Sequence, residues 1–148
     1  MKKVAVLSAV IVLGLLIKYA VEWQGAYASR IPDYPDGPTV NGQDLYTDPL
    51  TATIYKSASM DKESLFSGTS VKFHPNGKLF VKAGIKRGSF HGPFDLWHEN
   101  GQKHMSMVWI HGKKIKNFKA YQPNGERISG NDHELAEQIF GDVISTQP

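Results

Sequence analysis

The chain of 148 residues contains no cysteine. This absence excludes disulfide bonds, zinc sites built on thiolates and thiol nucleophiles, and it removes the residue to which a bacterial lipoprotein attaches its lipid. Hydrophobic residues make up 41% of the chain and charged residues 21%, which is the balance of a globular protein rather than of a disordered one. One domain of ordinary size with an additional N-terminal segment fits this length.

Patterns that would indicate catalysis or metal binding are also missing. The six histidines include no pair four positions apart, so no helix face presents two imidazoles to a metal. Asp95 and Glu99 are the only acids between Lys72 and Lys119. They lie on one short predicted strand, whereas a glycoside hydrolase needs two separately placed carboxylates. We therefore expect no catalytic residue, no cofactor and no metal, and an envelope hydrolase is the least favoured function.

Charge is distributed unevenly along a chain whose formal net charge is +3. Residues 72–119 hold ten Lys or Arg and two acids, whereas residues 126–142 hold five acids and one Arg. A basic central region is thus followed by an acidic tail. This separation bears on partners rather than on the fold, because clustered charge of one sign attracts surfaces of the opposite sign.

The first 28 residues read as an export segment. Two lysines precede an uncharged run from Val4 to Ile17, as in the basic and hydrophobic regions of a signal peptide. Cleavage after Ala28 would release a secreted or periplasmic domain. The slightly favoured alternative is an uncleaved anchor over residues 4–21, about 27 Å long as a helix against a hydrocarbon core of about 30 Å. In either case the lysines stay inside and the C-terminal domain lies outside the cell membrane.

Residues 29–48 have the composition of a linker. Prolines recur at Pro32, Pro35 and Pro38 among glycine and polar residues, and no apolar periodicity is visible. Such a segment is extended and semi-rigid. We expect it to hold the following domain away from the membrane.

A motif of one aromatic residue followed three positions later by Asn-Gly occurs three times, at steps of 24 residues. Its members are Phe73 with Asn76 and Gly77, Trp97 with Asn100 and Gly101, and Tyr121 with Asn124 and Gly125. Gly88, Gly92 and Gly112 keep the same register. Asn-Gly favours the positive φ angles of a type I′ hairpin turn, and apolar residues alternate at period two between the turns. The pattern predicts hairpins repeated every 24 residues.

One hairpin cannot bury its apolar face alone, so the repeated hairpins must stack into a continuous meander. We predict an all-β domain over residues 49–130, which begins with a degenerate strand. Asn131 with Glu134 is typical of a helix start, and Leu135 and Ile139 recur at helical spacing. Residues 131–145 are therefore predicted to form a short helix that covers the end of the sheet.

The segment from Gly88 through Gly92 and Trp97 to Asn100-Gly101 resembles the units of the MORN-repeat-variant family, whose bacterial members are often described as YwqK-type antitoxins. The resemblance covers residues 66–128. It departs from the family in the third unit, where Lys116 stands in the place of Gly92. The resemblance implies a repeat scaffold for protein or membrane contacts, whose motif glycines and aromatics are structural. It also implies an antitoxin or immunity protein as an alternative function.

Lysines form the candidate binding face. On strand alternation Lys78, Lys82 and Lys86 project from one face, and Lys113, Lys114 and Lys116 follow in the next units. These lysines serve either as a soluble strand face that protects a sheet edge or as a contact for an anionic membrane or wall surface. We expect a non-enzymatic binding module with such a surface or an unidentified protein as its partner. Nucleic acid is not expected, because export separates the domain from it.

Overall fold

The computed structural model describes residues 33–145, without the side chains of residues 114–116, 133 and 140–145. The predicted export segment lies outside these residues. Within them the chain is mostly β-sheet and ends in one short helix, which confirms the predicted fold class at this level. No helix in the described range is long and apolar enough to cross a membrane.

Among residues 33–145, nine strands, one α-helix and two short 3-10 helices (Gly42–Asp44 and Lys62–Ser64) follow one another. The strands are β1 (Thr39–Asn41), β2 (Tyr46–Thr47), β3 (Ile54–Tyr55), β4 (Gly68–Phe73), β5 (Leu79–Lys86), β6 (Ser89–Trp97), β7 (Lys103–Ile110), β8 (Lys114–Tyr121) and β9 (Arg127–Ile128), and the helix is α1 (Asp132–Ser145). Seven strands form one sheet in the order β1-β4-β5-β6-β7-β8-β9. β2 and β3 form a separate antiparallel pair. In the large sheet β1 is parallel to β4, and all other neighbours are antiparallel.

The Asn-Gly turns differ in detail from the type I′ turns predicted for them. Gly77, Gly101 and Gly125 have positive φ angles, but the preceding asparagines do not. At the first turn the backbone N–H of Gly77 donates to the carbonyl oxygen of His74 at 2.9 Å, so the four residues of the tight turn are His74 to Gly77. This is a type I turn followed by a left-handed glycine, the usual form of a longer hairpin loop. The Oδ1 atom of Asn76 stabilises it by accepting from the backbone N–H of Lys78 at 3.0 Å.

The turns at the opposite end of the sheet are the tighter ones. Arg87 and Gly88 have φ angles of 50° and 76°, and His111 and Gly112 have φ angles of 49° and 66°. Two successive left-handed residues are the signature of type I′, whose twist matches that of the flanking strands. Type I′ geometry thus occurs in this domain at Arg-Gly and His-Gly.

The core lies on one face of the sheet in two clusters. The larger cluster is covered by α1 and comprises Ala83, Phe94, Leu96, Met105, Met107, Trp109, Phe118, Ala120, Ala136 and Ile139. The smaller cluster comprises Leu45, Ile54, Phe66 and Ile85. Helix α1 therefore packs its apolar side on the sheet, as the spacing of Leu135 and Ile139 predicts.

The described part of the predicted linker differs from the expectation, because it packs onto the sheet. β1 pairs with β4, and Leu45 is 8% exposed. A Cβ at Gly84 would lie 2.7 Å from Cδ of Pro35, and a Cβ at Gly92 would lie 2.6 Å from the carbonyl oxygen of Asp33. The absence of side chains at these two glycines lets residues 33–35 lie close against the strands. We call residues 33–38 the strap.

Candidate functional site

Lys78, Lys82 and Lys86 of the predicted binding face do not form one open surface. Lys78 lies beside the first Asn-Gly turn, and its Nζ atom donates to the carbonyl oxygen of Asn100 at 2.9 Å. Lys86 lies at the other end of β5, eight positions further along the chain, which is about 26 Å in an extended strand. These two lysines therefore occupy opposite ends of the sheet.

Lys82, midway between them, is covered by the strap. Its Nζ atom lies 4.2 Å from the ring centroid of Tyr34, a cation–π distance. The hydroxyl of Tyr34 donates to Oδ2 of Asp95 at 2.8 Å, and Nζ of Lys103 lies 2.9 Å from Oδ1 of the same carboxylate. Both oxygens of Asp95 are thus engaged. Sequence alternation places Lys82 on this face correctly, but it gives no sign of the aromatic ring above it.

Burial raises the pKa of the Tyr34 hydroxyl far above its ordinary value, and the hydrogen bond to Asp95 and the charge of that carboxylate raise it further. The phenol therefore stays protonated and can act as a permanent donor. The Asp95 side chain is 10% exposed, whereas Glu99 lies exposed in the turn after β6. The candidate carboxylates thus have different surroundings, and Asp95 serves to fasten the strap.

Basic side chains gather at the end of the sheet that carries the two type I′ turns. We call this group the basic end, and it consists of Lys86, Arg87, His91, His111 and Lys113. All of them are exposed except His91, which is half-buried. The structure thus brings together Lys86 and Lys113 of the predicted face and adds three residues to them. Lys114 and Lys116 follow in β8, where the backbone alone is described.

The two histidines of the basic end contact each other. Their ring centroids are 4.7 Å apart, and Nδ1 of His91 lies 3.3 Å from the backbone nitrogen of His111, from which it accepts a hydrogen bond. Burial lowers the pKa of His91, and the nearby charges of His111 and Lys86 lower it further. An accepting Nδ1 and a lowered pKa both favour the neutral imidazole.

Among the side chains that the structure describes, no carboxylate forms an ion pair with the basic end. The sequence reading overlooked Arg87, His91 and His111. A signal was present, because Arg87 and His111 precede the equivalent glycines Gly88 and Gly112. Uncompensated positive charge in an exposed position is suited to binding anions.

The residues predicted as structural form contacts between successive Asn-Gly turns. Nε2 of His74 lies 2.8 Å from the carbonyl oxygen of Trp97, and Nδ2 of Asn76 donates to the carbonyl oxygen of Glu99 at 2.9 Å. The same two contacts join the second turn to the third, from His98 to Tyr121 at 2.9 Å and from Asn100 to Pro123 at 2.7 Å. We call these contacts the turn ladder. Because a carbonyl oxygen only accepts, both histidines carry a proton on Nε2.

Other features of the described residues give no stronger site. No group of three or more His, Asp or Glu side chains is placed to hold a metal ion in the range 33–145. A cavity of about 420 Å³ lies beside β1, with mainly apolar walls that include Val40, Leu45 and Phe66 and with Asp44 and Lys56 among its polar residues. Comparisons of the chain with protein-family models, with curated proteins and with solved structures find no match.

Proposed function

We propose that this protein is a non-enzymatic binding module of MORN-like repeats, exported and held at the membrane by residues 4–21, which contacts an anionic surface through its basic end. The observation that carries the proposal is the group of exposed cations at this end without a carboxylate partner among the described residues. The three Asn-Gly turns at 24-residue steps and the recurring contacts of the turn ladder support the MORN-like assignment.

The position of the strap favours a membrane surface as the anionic partner. The described chain begins at Asp33, whose carbonyl oxygen lies against Gly92, next to His91 of the basic end. Eleven residues separate Val21 from Asp33, and they span at most about 40 Å when fully extended. An anchor over residues 4–21 would therefore keep the basic end within reach of the lipid headgroups.

The expected strength follows from the number of charges. A Lys or Arg close to an anionic bilayer contributes about 1 kcal/mol, and the attraction decays within a Debye length of about 8 Å at physiological salt. The cations Lys86, Arg87 and Lys113 together give a contact that is weak in isolation. A contact of this strength suits a domain that is already tethered, because tethering raises its effective concentration at the surface.

The test measures binding of the full-length chain, purified in a neutral detergent, to nanodiscs with and without phosphatidylglycerol. The variant Lys86→Glu/Lys113→Glu is compared with the matched control Lys56→Glu/Lys62→Glu, which reverses two exposed lysines elsewhere. We expect the first variant to lose at least about thirtyfold in affinity for anionic discs, because it removes two cations worth about 1 kcal/mol each and adds two charges that the lipid repels. The control should lose much less. Equal affinity of all three proteins would remove the basic end from the function.

The topology is tested separately by adding protease to intact cells that make a C-terminally tagged chain. Cleavage of the tag from outside supports the exported module. Protection of the tag inside the cell contradicts it and directs the search to a cytosolic partner, as the antitoxin alternative requires.

A further inference from the structure

The turn ladder has a direction. Each Asn-Gly turn presents an asparagine amide towards the next turn, which receives it on a backbone carbonyl. The residue after the glycine of the first turn and of the second turn also places its side chain against the next turn. A Cβ built on Gly101 would lie 3.6 Å from Cδ of Lys78, and a Cβ built on Gly125 would lie 3.6 Å from Oε1 of Gln102. Every turn thus has a donating side and a receiving side.

Among the residues that the structure describes, none accepts a side-chain hydrogen bond from the donating side of the last turn. Asn124 and Glu126 are exposed. Oδ1 of Asn124 accepts from the backbone N–H of Glu126 at 3.0 Å, as in the other two turns, but its Nδ2 atom has no acceptor in the described chain. Gln122 replaces the histidine of the earlier turns, and its side chain is exposed too. Two side-chain amides therefore remain with unused donors.

The receiving side of the first turn is open in a complementary way. A Cβ built on Gly77 would meet nothing within 4 Å, unlike the glycines of the second and third turns. Phe73 is 51% exposed. β1 covers the outer edge of β4 from Thr69 to Val71 and ends before the turn. The carbonyl oxygens of Phe73 and Pro75 are equivalent to those that accept hydrogen bonds in the second and third turns.

We infer that the last turn of one chain docks on the first turn of a second copy, so that the turn ladder continues from molecule to molecule. In this contact Nδ2 of Asn124 donates to the carbonyl of Pro75 in the second copy, and Gln122 donates to the carbonyl of Phe73. Glu126 of the first copy lies over Gly77 of the second copy. The contact goes beyond the proposed function, because it involves the opposite end of the sheet from the basic end.

Charge favours the same partner. Glu126 on the donating side is acidic, whereas the receiving side begins the basic segment 72–119 and carries Lys78. Glu126 would lie beside Lys78 of the second copy. Two different surfaces meet in such a contact, so the association is head-to-tail and continues into rows of copies unless it closes into a ring.

The absence of cysteine from the chain makes a specific cross-linking test available. Pro75→Cys and Glu126→Cys are made separately in the full-length chain, given different tags and mixed in neutral detergent. A short bis-maleimide should then join the two variants to each other far more than it joins either variant to itself. The matched control replaces Pro75→Cys with Ala58→Cys, another exposed position. Cross-links that are equally frequent in the control mixture would overturn the inference.

A second measurement determines self-association of the cysteine-free chain by sedimentation velocity. Asn124→Asp keeps the acceptor for the turn and removes the amide donor, so we expect association to weaken about tenfold. Asn41→Asp adds the same charge at a residue whose Oδ1 atom caps the short 3-10 helix Gly42–Asp44 by accepting from the backbone N–H of Gln43, and it should leave association unchanged. A chain that stays monomeric at all concentrations, or an Asn124→Asp variant that associates like the parent, contradicts the proposal. Binding to anionic nanodiscs would be retained in that case, which separates this failure from failure of the proposed function.

Discussion

The hydroxyl of Tyr34 and the carboxylate of Asp95 are joined by a hydrogen bond of 2.8 Å, although 61 positions separate them in the chain. Asp95 in turn pairs with Lys103, and the ring of Tyr34 lies over Lys82. A segment without any apolar pattern is thus fixed to the middle of a sheet by one phenol. The strap and the middle of the sheet are consequently joined by side-chain contacts as well as by the pairing of β1 with β4.

Removal of the phenol oxygen should loosen the strap. We expect Tyr34→Phe to lower the free energy of unfolding by about 1 kcal/mol, because Asp95 keeps Lys103 but loses its second partner. Urea denaturation measures this loss. Tyr46→Phe is the matched control, since Tyr46 is 37% exposed and has no side-chain bond described. Equal stability of the two variants would show that the strap does not depend on this bond.

A methyl group at Gly84 should strain the neighbouring strand β6 and displace the strap by steric overlap. The added Cβ would overlap Cδ of Pro35, 2.7 Å away, and the backbone carbonyl of His91. Because Gly84 does not have a positive φ angle, the effect of Gly84→Ala is overpacking alone, with an expected loss of about 1–3 kcal/mol.

Limited proteolysis at residues 33–38 should be faster in Gly84→Ala than in the parent chain. Gly130→Ala is the control, because its nearest neighbour would be a flexible end of Leu135 at 3.3 Å. Unchanged proteolysis and stability in Gly84→Ala would mean that the strap can shift at little cost.

Acid should destabilise the domain through His91. Its folded pKa is lowered from 6.5, so the unfolded chain binds this proton more readily than the folded chain does. The contribution of neutral His91 is therefore fully present above about pH 6.5 and is lost as the pH falls towards the folded pKa. We expect His91→Asn to show a smaller drop in urea midpoint between pH 7.5 and 5.5 than the parent chain.

Titration of the histidine ring signals by NMR tests the same point directly. His91 should titrate below its ordinary value, and its pKa should rise when anionic lipid occupies the basic end, because a bound anion favours the charged imidazole. A pKa of His91 at or above 6.5 without any anion would contradict the neutral state inferred from its accepting Nδ1.

The core should show an unequal response to truncation. Trp109 is fully buried and its ring centroid lies 5.7 Å from that of Phe90, but its Nε1 atom has no hydrogen-bond partner. A buried donor without an acceptor is destabilising, so its removal in Trp109→Phe offsets part of the packing that is lost. We expect Trp109→Phe to lower the free energy of unfolding by about 1 kcal/mol and Met107→Ala to lower it by about 2–5 kcal/mol. Thermal or urea unfolding compares the two, and a loss above 3 kcal/mol for Trp109→Phe would indicate a partner for the indole.

Local patterns predicted the hairpins and the terminal helix, because their determinants lie close together in sequence. Apolar alternation from Leu79 to Ile85 defines β5, and the spacing of Leu135 and Ile139 defines the buried side of α1. The strap could not be predicted in this way. Its position depends on long-range contacts of Tyr34 and on space above Gly84, and neither produces a periodic signal.

The candidate site was only half predictable for a related reason. Alternation identifies the face to which Lys82 belongs but not the ring that covers it. The basic end brings residues of two hairpin turns together, and turn residues such as Arg87 and His111 fall outside the alternating pattern on which the strand reading depends. Recognition of the cluster required knowledge that both turns lie at the same end of the sheet.

The parallel pairing of β1 with β4 has a mechanical consequence. A pull on the chain ahead of Asp33 would reach Tyr34 and its bond to Asp95 first, and then the pairs from Thr39 to Asn41 with β4. The hairpins from β5 to β9 lie beyond these fastenings and would carry load only after both had given way. Tension on the N-terminal side of the domain would therefore load the strap and β1 before it loads the hairpins.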